Sequence, residues 1–172
     1  MEGIRLVGAV FLEAAVPLAE VVRVGVGDMT VNEFLNALKH DAIVSAIKSA
    51  EDKTSGEIRV FISRKVRPDA LAAARSRFAK LGMTQTREHN GVLIYVAPRS
   101  RTFAIIGDKG VHTKCGEAFW SEVAKVMTEE FGKGDFTAGI ILGVQKAGNL
   151  LVEHFPRQSQ DRNELPDRVD TD

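Results

Sequence analysis

Residues 90–120 read NGVLIYVAPRSRTFAIIGDKGVHTKCGEAFW, from Asn90 to Trp120. Two short apolar runs, Gly91–Ala97 and Thr102–Ile106, are rich in β-branched residues and do not alternate strictly. Such runs are strands buried on both faces. The few residues between them suit a hairpin and leave no room for a crossover helix. Gly107-Asp108-Lys109-Gly110 then leaves the sheet as an acidic glycine loop opening a helix.

Outward from this hairpin, the pattern alternates between helix and strand. Thr30-Val31-Asn32-Glu33 is a capping box. Phe34, Leu35 and Leu38 follow it, and Ile43, Ala46, Ile47 and Ala50 continue the helical stripe, with Asp41 as a second cap. Glu57–Ser63 reads as a strand, with Ile58, Val60 and Ile62 on one face. Pro68-Asp69 opens a helix carrying Leu71, Ala74, Phe78 and Leu81, which Gly82 stops. A third helix is expected over 116–131, with Phe119, Val123, Met127 and Phe131 inward. Asp135 caps a fourth, over 136–155, with Ile140, Val144, Ala147 and Leu151 on one face. Gly139, Gly143 and Gly148 weaken that helix and imply that another element packs close to it.

Strands buried on both faces need two covering layers. The expected fold is therefore α/β, a three-layer α/β/α sandwich with a β-hairpin in a small mixed sheet. The domain spans 29–156. Residues 157–172 are polar without periodicity and read as a disordered tail.

The chain has 172 residues, enough for one domain with a core. Lys+Arg and Asp+Glu balance at 23 each, which argues against a nucleic-acid binder and gives no reason to sit on an anionic membrane. The lone cysteine, Cys115, forms no internal disulfide and fits a reducing, cytoplasmic setting. No run is long and apolar enough to span a bilayer, so no direct membrane insertion is expected. The apolar stretch 4–26 is interrupted by Glu13, Pro17 and Glu20, which disfavours a signal peptide. Residues 1–28 read instead as an N-terminal extension of uncertain status.

The element order and several motifs resemble the TPM domain family, which includes thylakoid-lumen and photosystem II repair proteins and many bacterial members. The matching residues are Ala50-Glu51, Thr54-Ser55-Gly56-Glu57-Ile58-Arg59-Val60, Asn90-Gly91-Val92-Leu93-Ile94-Tyr95-Val96 and Ile106-Gly107-Asp108-Lys109-Gly110-Val111. Phe119-Trp120, Phe131-Gly132-Lys133-Gly134-Asp135-Phe136, Gly139, Gly143 and Phe155-Pro156 complete the set. The resemblance covers roughly 30–156. Each motif alone is weak; their order and spacing carry the match. It implies a Rossmann-like α/β/α sandwich, divalent-metal binding and an acid phosphatase activity claimed for some plant members. Membrane-anchored members carry a signal peptide, a transmembrane helix and a glycine-rich tail, and this chain looks like the soluble bacterial subgroup.

Hairpin geometry places Asp108 near Asn90 and Glu88. A parallel first strand brings Glu57 and Ser55 to the same edge. Oxygens of Asp108, Glu57 and Asn90 converging there would hold calcium or magnesium. The plain alternative is that Asp108 caps a helix and Glu57 is a solvated strand end. The family motif makes Asp135 a rival ligand, although helix capping is its default role and the third helix carries it to the opposite edge. His112 and Cys115 lack a second ligand pair for zinc. Cys115 is either reactive at a helix start or, by default, a small buried residue. Arg99 and Arg101 flank the hairpin turn, and His89 and His154 show no partner in the sequence. The Walker loop, the dinucleotide fingerprint and the nucleophile elbow are all missing.

The expected function is an accessory binding module with a protein partner and weak calcium or magnesium binding. A metal-assisted acid phosphatase is the alternative, and a structural subunit docking through the apolar N-terminal segment is a third reading.

Overall fold

The computed structural model describes residues 13–17 and 29–172. The central layer is a five-stranded sheet. Its strands are β1 (Glu13–Pro17), β2 (Glu57–Ile62), β3 (Gly91–Ala97), β4 (Thr102–Gly107) and β5 (Val169–Thr171). The spatial order is β1-β4-β3-β2-β5. β3 and β4 form the expected hairpin, pairing Val92 with Gly107 and Ala97 with Thr102. β2 runs parallel to β3, with Glu57 opposite Gly91. The crossover between them is α3 (Ala70–Lys80).

Strands β2 and β3 are buried along their whole length. Ile58, Val60, Ile94, Val96, Phe103 and Ile105 enter the larger core. There they meet α1 (Val31–Ala37), α2 (His40–Glu51), α5 (Ala118–Gly132) and α6 (Phe136–His154). Phe61, Leu93, Tyr95 and Ile106 face the smaller core, closed by Ala70, Ala74 and Phe78 of α3. The three-layer α/β/α architecture follows from this double burial.

The glycines of α6 mark close approach. A Cβ at Gly143 would lie 2.7 Å from Met127 Sδ, and one at Gly148 would lie 2.6 Å from Ala50 Cβ. Ala at these positions would favour the isolated helix but prevent the packing.

The structure departs from the sequence expectations in five places. The first helix is two, because Leu38 is extended; the second begins after Lys39 with no side-chain cap, so Asp41 is not the cap. The helix expected over 116–131 is preceded by a separate one, α4 (Lys109–Cys115). Gly116, at φ +74°, turns the chain between α4 and α5. β1 pairs antiparallel with β4, so this part of the 1–28 extension is a sheet edge; the rest of that segment lies outside the described residues. β5 pairs parallel with β2, from Val60–Val169 to Ile62–Thr171. Residues 157–172, read as a disordered tail, thus lie against the domain. Their acids find fixed partners: Asp170 ion-pairs with Arg59, and Asp172 bonds Ser63, Arg64 and Arg67. Composition alone does not show such pairing, because the cations lie about a hundred residues upstream in sequence.

Candidate functional site

The first residues of β2 and β3 and the last of β4 meet at one sheet edge. The Asp108 N–H donates to the Gly91 carbonyl at 3.0 Å, and the Glu57 N–H to the Asn90 carbonyl at 3.4 Å. Asn90, 1% exposed, donates from Nδ2 to the Ser55 carbonyl at 2.9 Å and to Ser55 Oγ at 3.2 Å. Ser55 Oγ in turn donates to Glu88 Oε2 at 2.5 Å. Asn90 Oδ1 is buried without a partner.

The carboxylates expected to converge with Asn90 are otherwise engaged. Asp108 caps α4, accepting from Lys109 N–H at 2.7 Å, and its second oxygen lies 2.9 Å from His89 Nδ1. Glu57, 3% exposed, accepts the Glu164 N–H at 2.7 Å and the Leu165 N–H at 3.1 Å. Burial raises its pKa, and those two amides pull it back. The structure therefore brings the three residues to one edge but turns their oxygens to different partners. Among the described residues, no group of three or more His, Cys, Asp or Glu is arranged to hold a metal ion. A hard cation needs several convergent oxygens, and of the three expected ligands only Asn90 keeps a buried oxygen, Oδ1, without a partner. Asp135 lies apart as the cap of α6, accepting from Ala138 N–H at 2.9 Å.

Glu51, which the sequence offers only as part of the family motif, is the most strongly shifted acid at this edge. Its Oε1 accepts the Ile58 N–H at 2.7 Å, standing in for a ladder partner on the outer side of β2 before β5 begins. Its pKa is pushed up to about 9 by burial, then by the Asp167 carboxyl group and the charge on Glu57. Glu51, Glu57 and Asp167 share a cavity of about 230 Å³ with Lys48, Ser55 and Arg157. Residues 157–167 wall that cavity. The signal was available: Glu51 follows Ile43 and Ile47 at the helical interval, on the stripe destined for burial.

His89 was missed. It stands at φ +52°, uncommon for a residue with a side chain, and its imidazole is held by the buried Asp108. Nothing in the sequence around it announces this backbone. Cys115 is half-buried against the larger core rather than fully buried, and desolvation pushes its thiol up to about 11, away from the lowered value of an activated cysteine. His112 Nδ1, close by in sequence, is buried without a partner.

A family model described as the TPM domain matches residues 30–150. The chain belongs to the TPM domain family. The NMR structure of BA42 protein from the psychrophilic bacterium Bizionia argentinensis is similar to this TPM domain at 36% identity and a TM-score of 0.74. That similarity covers 86% of this chain and 99% of BA42. No curated protein matches the chain. Among the described residues of the TPM domain, no helix is long and apolar enough to cross a membrane.

Proposed function

We propose that this TPM domain is an accessory binding module that works in the cytoplasm on a protein partner, without catalysis of its own. One observation carries this reading. The acids at the site edge are committed to their own chain, Glu57 to two amides and Asp108 to a helix cap and His89. Among the described residues, no group of three or more His, Cys, Asp or Glu converges to hold a metal ion. What the edge offers is a polar cavity between Glu51, Ser55 and residues 157–167.

Weak calcium or magnesium binding belongs to the same proposal, and it requires Glu57 to leave the Glu164 and Leu165 amides. That cost places the dissociation constant near 10⁻³ M, on the order of the weakest calcium modules. Amide NMR shifts on titration with calcium test this. Gradual shifts at Glu164 and Leu165 in the millimolar range are expected. Saturation at Glu57, Asn90 and Asp108 far below about 10⁻⁴ M would mean a preformed metal site.

The metal-assisted acid phosphatase remains a second reading because of the His89–Asp108 pair. A buried carboxylate on Nδ1 fixes the imidazole tautomer and leaves Nε2 to exchange a proton. His89 is 39% exposed, so a phosphate ester could reach it. On this reading, p-nitrophenyl phosphate turnover falls sharply in His89→Ala and Asp108→Asn.

A further inference from the structure

β5 adds only three residue pairs to β2, yet its side chains meet a prepared surface. Val169 packs against the larger core. Asp170, opposite Phe61, ion-pairs with Arg59, whose side chain is 2% exposed. Asp172 accepts from Ser63 Oγ at 3.2 Å, from the Arg64 N–H at 2.7 Å and from the Arg67 guanidinium at 3.1 Å. Arg77 Nη2 stands 3.7 Å from it, with its guanidinium over the Phe61 ring. Alternate residues of a strand share a face, so this surface reads two acids spaced by one residue, after an apolar one.

The present occupant fits incompletely. Asp170 Oδ1 is taken by Arg168 Nε at 2.6 Å, so Arg59 meets only Oδ2. Arg59 Nε is left buried without a partner. A carboxylate not held by a neighbouring arginine could meet the guanidinium at two points, the stronger geometry. Strand addition at an open sheet edge supplies the backbone hydrogen bonds of such recognition, and side-chain pockets supply the selectivity.

We propose that the outer edge of β2 is a receptor for an extended acidic segment of a partner protein. The segment reads apolar–Asp–any–Asp and runs parallel to β2, and residues 169–172 occupy the edge as an intramolecular competitor. The proposal rests on the binding-module reading but fails separately from it: hydrolysis assays judge the module, and peptide binding judges the edge.

The test is fluorescence anisotropy of a labelled peptide copying residues 165–172 with Arg168→Ser, added to the full chain. Asp170→Asn/Asp172→Asn in the chain weakens the competitor and should tighten peptide binding at least tenfold over the unaltered chain. Arg67→Ala, which leaves Arg59 in place to meet the first acid of the peptide, should weaken binding about tenfold in that background. A peptide with both acids changed to Asn should not bind. If the double variant lacks a cooperative unfolding transition, Asp172→Asn alone serves, with at least a threefold gain. Equal affinity for the acidic and Asn peptides, or no binding to the folded variant, overturns the proposal. A variant that forms a strand-exchanged dimer by light scattering, and ignores the peptide, also overturns it, because the edge would then serve a second copy.

Discussion

Glu51→Gln removes the carboxyl group that the fold keeps protonated through neutral pH. Burial pushes the Glu51 carboxyl up to about 9 in the folded chain, against an ordinary value of 4.5. Between those limits the folded protein holds a proton that the unfolded chain has released. Stability conferred by this group is therefore full below pH 4.5 and is lost as pH rises toward 9. One group in this window changes stability by at most about 1.4 kcal/mol per pH unit. From pH 6 to 8 the ceiling is about 2.7 kcal/mol, and local relaxation should leave about 1–2 kcal/mol. Glutamine keeps an acceptor for the Ile58 N–H, bonded at 2.7 Å, and has no proton to lose. Glu57 is raised in the same sense, but it is present in both proteins and largely cancels in their difference. Urea unfolding at pH 6, 7 and 8 should show the unaltered chain losing stability relative to Glu51→Gln at each step. Parallel profiles would refute the claim that Glu51 is buried in its neutral form.

Other substitutions probe the frame around the site. Asp135→Ala should cost about 1 kcal/mol through the lost α6 cap, read by urea unfolding, and leave any calcium response unchanged. Gly110→Ala places a Cβ 2.4 Å from the Glu88 carbonyl oxygen and 2.5 Å from that of His89. Because backbone cannot swing aside, a loss of about 2–3 kcal/mol is expected, with the His89 imidazole shifts displaced in NMR spectra. Asp170→Ala leaves the buried Arg59 charge without its partner. Asp170 is partly exposed, so a loss of about 2 kcal/mol is expected in thermal unfolding, less than for a fully buried pair.

The sequence disclosed what short-range periodicity encodes. The double-sided burial of β3 and β4, the stripes of α3 and α6, and the caps at Thr30 and Asp135 were legible from spacing, whereas the burial of both faces of β2 was not, and Asp108 reads in sequence first as a metal ligand and only second as the cap it is. The hairpin rule placed Asp108 beside Asn90, and the parallel strand placed Glu57 there too. What escaped was long-range partner choice. Whether Glu57 faces a cation or the amides of Glu164 and Leu165 depends on a segment more than a hundred residues later. That segment has little apolar area, and its placement rests on Leu165, Val169 and ion pairs that no local window reveals. The split of the first helix escaped for a different reason. Leu38 and Lys39 are good helix formers, and tertiary packing of Leu38, 5% exposed, overrides that preference.

The most direct test of the binding-module account is the rate of p-nitrophenyl phosphate hydrolysis by the full chain, with calcium, with magnesium and with neither, beside His89→Ala. The account predicts the same background rate in every case. A metal-dependent rate that disappears in folded His89→Ala would contradict it and establish the His89–Asp108 edge as a catalytic centre.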